Sequence, residues 1–104
     1  PISSAARLSV WGYDVTVVDQ ILRPMLEKLL DDGNPVIARV WTAMLDYWQQ
    51  ATSHVIVIVG YDEARVIVND PALPNHGHPV AWDGFLAAWA EFDETAVIVT
   101  RNRQ

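Results

Sequence analysis

Apolar positions in this chain follow two periods. Three runs in the second half are almost wholly β-branched: Val55-Ile56-Val57-Ile58-Val59 between His54 and Gly60, Val66-Ile67-Val68 between Arg65 and Asn69, and Val97-Ile98-Val99 between Ala96 and Thr100. Such side chains fit a pleated surface and resist a helix. The unbroken apolar run at 55–59 predicts a central strand buried on both faces. The short acidic link through Asp62 and Glu63 makes the first two runs an antiparallel hairpin. Residues 35–41 read as a further strand with Pro35 at its first position, and 15–18 as a short one.

The second period is helical. Leu22, Met25, Leu26, Leu29 and Leu30 form one stripe, with Asp19 as the expected N-cap, Pro24 in the first turn and Gly33 as the stop. Asp83 is expected to cap a second helix over 84–90, with Phe85, Leu86 and Trp89 on one face. Residues 42–52 fit either a short helix or an ordered aromatic loop. The Pro and Gly content of 70–79 predicts a loop. The sum is an α+β fold: a mainly antiparallel sheet of four to six strands with two helices.

The 104 residues suit a single domain, 1–104. Seven Lys+Arg against 13 Asp+Glu give a formal charge of −6, which argues against nucleic acid or an anionic membrane surface as partner. No run approaches the ~20 apolar residues of a membrane-spanning helix, and the start has no signal-peptide pattern. Pro1 reads as a processed or cut start, so the chain is expected to be a piece of a longer protein, its compartment unread. Five Trp in so small a chain suggest a homodimer that hides part of them. There is no Cys, which removes disulfides, thiolate metal sites and any thiol nucleophile from these residues.

Two residues stand out for chemistry. His54 opens the central strand and Asp70 closes the next. If Gly60 pairs with Ala64 or Arg65, His54 faces Asp70 or Pro71. A carboxylate that accepts from one ring nitrogen fixes the tautomer and leaves the other as a general base. The plainer reading of such a pair is a structural hydrogen bond. Ser53 is no partner, because adjacent residues of a strand point to opposite faces. His76 and His78 form His-x-His without a third ligand at metal spacing, so neither a metal nor another cofactor is expected. Trp41, Tyr47 and Trp48 could line a cleft or serve the core. Glu91, Asp93 and Glu94 read as a solvated helix end.

Four segments in order resemble the bacteriocin-processing (double-glycine peptidase-like) type of papain-like cysteine peptidase, and especially the C-terminal half of its domain in bacterial look-alikes. They are a helix ending in Gly33 before Pro35-Val36-Ile37, His54 opening an apolar strand that ends Gly60-Tyr61-Asp62, Asn69-Asp70-Pro71 after the next strand, and Phe85-x-x-x-Trp89. The resemblance spans residues 20–99. It implies a bacterial origin, a peptide substrate, His54 as the catalytic His and Asp70 as the carboxylate that orients it. The family's nucleophilic Cys and upstream Gln have no counterpart here, so the chain as it stands is expected to be inactive. The alternative is a non-catalytic binding or interaction domain on a degenerate papain-like fold, with the 41–48 aromatics as contact surface.

Overall fold

A computed structural model describes residues 5–10, 12–48, 50–74 and 76–101. Pro1 and Trp11, which entered the expectations above, lie outside these residues, as does Asn75 within the expected 70–79 loop. Among the described residues seven strands build one sheet: β1 (Ala5–Val10), β2 (Tyr13–Val18), β3 (Val36–Trp41), β4 (Ser53–Tyr61), β5 (Arg65–Asn69), β6 (His78–Ala81) and β7 (Ala96–Arg101). Their spatial order is β1-β2-β7-β3-β4-β5-β6, and every neighbouring pair is antiparallel. Two helices, α1 (Arg23–Asp31) and α2 (Trp82–Ala90), complete the α+β fold.

The sheet holds more strands than the expected four to six because two of its segments lack a β-branched run. One is β1, which pairs along its length with β2. The other is β6, whose first two residues, His78 and Pro79, fall within the loop predicted over 70–79. Its outer position explains the Pro: an edge strand leaves one side unpaired, where a missing N–H costs little.

The core lies on one face of the sheet. Val36, Ala38 and Val40 of β3, Ile56 and Ile58 of β4, and Val66 and Val68 of β5 are buried there with Ala96 and Ile98 of β7. Leu26 of α1 and Phe85, Ala88 and Trp89 of α2 cover them. The opposite face carries the intervening residues, and on it Val55 and Val59 are 46% and 42% exposed. β4 is therefore an interior strand as expected, but it is buried on one face only, because both helices are spent on the other.

α1 does not start at an Asp19 cap. Leu22 occupies the N-cap position with extended backbone and no side-chain cap, and Pro24 sits in the first turn, where its missing N–H is harmless. The helix does stop at Gly33. This residue has φ +83°, its N–H donates to the Leu30 carbonyl, and Asn34 N–H donates to that of Leu29, the paired bonds of a Schellman ending. Asp83 lies inside the first turn of α2, whose N-cap is Ala81. Among the described residues no helix is long and apolar enough to cross a membrane.

Segment 42–52, of which Gln49 lies outside the described residues, opens with a short 3₁₀ turn, Thr42–Met44, and is otherwise loop among the described residues. Thr42 is fully buried and closes the loop: its hydroxyl donates to the Gln50 carbonyl (2.6 Å) and accepts from Thr52 N–H (2.8 Å). Gly84 of α2 lets the helix lie against this loop, for a Cβ there would stand 3.0 Å from the Met44 carbonyl oxygen.

Candidate active site

Asp70 ends β5 at a tight turn. Leu73 N–H donates to the Asp70 carbonyl (2.9 Å), and Ala72 N–H donates to its side-chain Oδ1 (2.8 Å). Asp followed by Pro71 suits the first two positions of such a turn. The turn thus fixes the carboxylate against its own backbone before any distant residue is involved.

The ladder then delivers the imidazole. Val57 pairs with Asn69 and Ile58 with Val68, but Gly60 pairs with Ile67, so Val59 is an extra residue in β4. The hairpin turn also begins one residue later than expected: Tyr61 pairs with Val66, and Asp62 Oδ1 accepts from the N–H groups of Ala64 and Arg65. His54 therefore does not face Asp70 or Pro71 directly; continued, the register sets it against Ala72. A shift of an even number of residues keeps both side chains on the same face of the sheet. His54 Nε2 and Asp70 Oδ1 are 2.7 Å apart.

Three further features complete the site. Tyr47 O–H (2.9 Å) and Trp48 Nε1–H (3.2 Å) both donate to Asp70 Oδ2. The Trp48 ring lies 4.6 Å from that of His54, and the Tyr47 ring 4.5 Å from that of His78. Beside them a cleft of about 360 Å³ is lined by Tyr47, Trp48, Gln50, Ala72 and Leu73.

The Asp70 side chain is wholly buried, whereas that of His54 is 20% exposed. Burial pushes the Asp70 carboxyl up, but hydrogen bonds from His54, Ala72 N–H, Tyr47 and Trp48 outweigh it and hold the group below its usual value. Burial first, and then the bond to Asp70, push the Tyr47 phenol well above its ordinary range, so it remains a donor. An ionised carboxylate can only accept, so the His54 proton facing it sits on Nε2. Nδ1 then carries the lone pair, with no hydrogen-bond partner among the described residues. Such a nitrogen can take a proton from a thiol or a water.

The other sequence candidates disperse. Ser53 points away from the site, where its hydroxyl accepts from Arg39 Nε (3.0 Å). His76 is exposed while His78 packs on Tyr47. Trp41 is half-buried and absent from the cleft lining. Sequence reasoning did not find Tyr47 and Trp48 as Asp70 donors. The available signal was two adjacent aromatics with polar tips in a segment of no clear period.

A family model, the Peptidase_C39 like family, matches residues 11–97. No curated protein matches. Among solved structures, a Bacillus anthracis protein described as a C39-like peptidase is similar, with a TM-score of 0.70 and 19% identity. The similarity covers 86% of this chain and 52% of that one, so the chain spans about half the length of that structure.

Proposed function

This chain belongs to the Peptidase_C39 like family, and on that footing we propose that it supplies the histidine–carboxylate part of a cysteine-peptidase site whose thiol lies outside residues 1–104. The observation that carries this is the His54 imidazole, anchored at Nε2 by a buried carboxylate and, among the described residues, unpartnered at Nδ1. His54 is the general base and Asp70 the residue that orients it. A thiol brought to Nδ1 gives up its proton there, and the thiolate attacks the carbonyl carbon of a peptide bond. The imidazolium then returns the proton to the leaving amine, and water hydrolyses the thioester.

The ordered motifs of residues 20–99 support the bacteriocin-processing type. The half-length match supports reading the chain as the C-terminal part of a larger peptidase-like domain. With no Cys, the chain by itself forms no acyl-enzyme. Its open sheet face, where Val17, Val55 and Val59 are exposed, supports self-association of the isolated chain.

The test uses the complete natural protein. Iodoacetamide should label one Cys outside these residues quickly near neutral pH, and His54→Gln should slow that labelling at least tenfold. The isolated chain should show no thiol-dependent peptide hydrolysis. A complete protein without Cys, or labelling indifferent to His54, overturns the proposal. The first result favours a non-catalytic binding domain, a reading that the lack of any Cys in 104 residues supports.

A further inference from the structure

We propose that Tyr47 and Trp48 are positioning residues for His54, acting through Asp70. The two donors converge on one carboxylate oxygen, Oδ2, at 2.9 and 3.2 Å, while Oδ1 takes Ala72 N–H and His54 Nε2. Four donors leave the carboxylate no room to rotate and no strong tendency to accept a proton from the imidazole. Trp48 acts twice, because its ring also lies against the His54 ring at 4.6 Å and 58° and hinders an imidazole flip. The result is one tautomer, with the proton on Nε2 and the lone pair on Nδ1.

The loop is built for this task. Thr42 locks both of its ends together, and Gly84 lets α2 press on its 3₁₀ turn. Tyr47 and Trp48 lie 23 and 22 residues from Asp70 in sequence, so the bonds tie the loop to the end of β5. The chemical significance of this device rests on the function proposed above; the geometry is tested without it.

The experiment is nitrogen-15 and proton NMR of the 104-residue chain, with labelled histidine, above pH 8. In the parent chain His54 should show a protonated Nε2, a bare Nδ1 and an Nε2 proton that exchanges slowly with water. Tyr47→Phe and Trp48→Phe each remove one donor and keep a ring. Each should speed exchange of that proton about tenfold, the factor that corresponds to about 1.4 kcal/mol, and admit the other tautomer. Tyr61→Phe is the control. It deletes a hydroxyl bonded to Asp31 (2.8 Å) at the far end of β4, about 24 Å away at 3.4 Å per residue. It should leave the His54 signals unchanged.

An unchanged tautomer and exchange rate in both folded variants overturns the inference. So does an equal response to Tyr61→Phe, which would mean a general loosening. Loss of the thiol labelling described above, with the NMR result intact, refutes the peptidase reading and leaves the positioning in place.

Discussion

Asp70 meets His54 along a diagonal of the sheet. Continuing the β4–β5 ladder past Val57–Asn69 sets Asp70 opposite Ile56, two residues from His54. Diagonal neighbours are ~7–8 Å apart at the backbone, within reach of long side chains, and these two close the gap to 2.7 Å. The turn at Asp70 and the loop bearing Tyr47 and Trp48 hold the carboxylate at that angle.

Asp70→Asn should therefore destabilise the fold. An amide placed where four donors converge sets at least one N–H against another. The expected loss is about 2–3 kcal/mol, the scale of hydrogen bonds to a buried charge. Urea unfolding followed by Trp fluorescence measures it. A loss under about 0.5 kcal/mol, typical of surface changes, would show that the carboxylate is not held as described.

The same group sets an acid limb of stability. Burial raises the Asp70 carboxyl and the hydrogen bonds, His54 foremost, lower it further, so its folded value lies below the ordinary 3.8. A depressed folded value contributes stability that is present above the unfolded value and lost as pH falls through the folded one. Unfolding free energy should decline below about pH 4, near the ordinary Asp value. Asp70→Asn should flatten that decline. An equal slope in both proteins would assign the limb to other carboxylates, Asp62 first among them, since the Ala64 and Arg65 N–H groups lower it.

Thr42→Val keeps the shape of a fully buried side chain but removes the hydroxyl that serves Gln50 and Thr52. Two backbone groups lose their partner, at a cost of about 2 kcal/mol. The loop should loosen as well, which Trp48 emission or hydrogen exchange at Thr52 would report. Full retention of both would count against Thr42 as the closure.

Gly84→Ala opposes two effects. Alanine in a helix gains about 1 kcal/mol over glycine, but the new Cβ stands 3.0 Å from a backbone oxygen of Met44. Backbone yields less readily than a side chain, so the clash should win. The expected melting temperature is lower by about 5 °C, equivalent to roughly 1 kcal/mol in a domain of this size. An equal or higher value would show that the loop gives way.

Isolated residues 1–104 should self-associate through the open sheet face, and Val55→Lys with Val59→Lys should abolish it. Sedimentation equilibrium up to ~100 µM, where a micromolar dimer forms, decides. A monomer throughout would refute this. Valines are chosen for the test because, among the described tryptophans, Trp82 and Trp89 are buried and Trp41 and Trp48 half-buried within one chain.

The strands and helices that carry strong periods were legible: β3, β4, β5 and β7 lie on the β-branched runs, α1 on the leucine stripe, and α2 where Phe85, Leu86 and Trp89 share a face. The His54–Asp70 meeting was legible because it depends on one hairpin. Its exact register was not, since neither the Val59 bulge nor the four-residue turn after Tyr61 has a hydrophobic signature. Tyr47 and Trp48 were legible as candidate cleft residues, but their bonds to Asp70 escaped for a deeper reason. Their contact with Asp70 is set by loop closure at Thr42 and by a missing Cβ at Gly84, long-range facts that no local pattern encodes. One-sided burial of β4 was hidden as well, because an apolar run looks the same whether one face is covered or both.

The last strand among the described residues sits in the middle of the sheet. β7 runs between β2 and β3, pairing Tyr13 with Arg101 at one seam and Val36 with Ile98 at the other. During synthesis the β1–β2 hairpin therefore waits without its neighbour while some eighty residues are added, and β3 waits with one edge open. The seven-stranded sheet cannot form progressively as the chain leaves the ribosome. It closes in a late step of high contact order, slow by the standards of small domains, with two unpaired strand edges exposed to other nascent chains until β7 arrives.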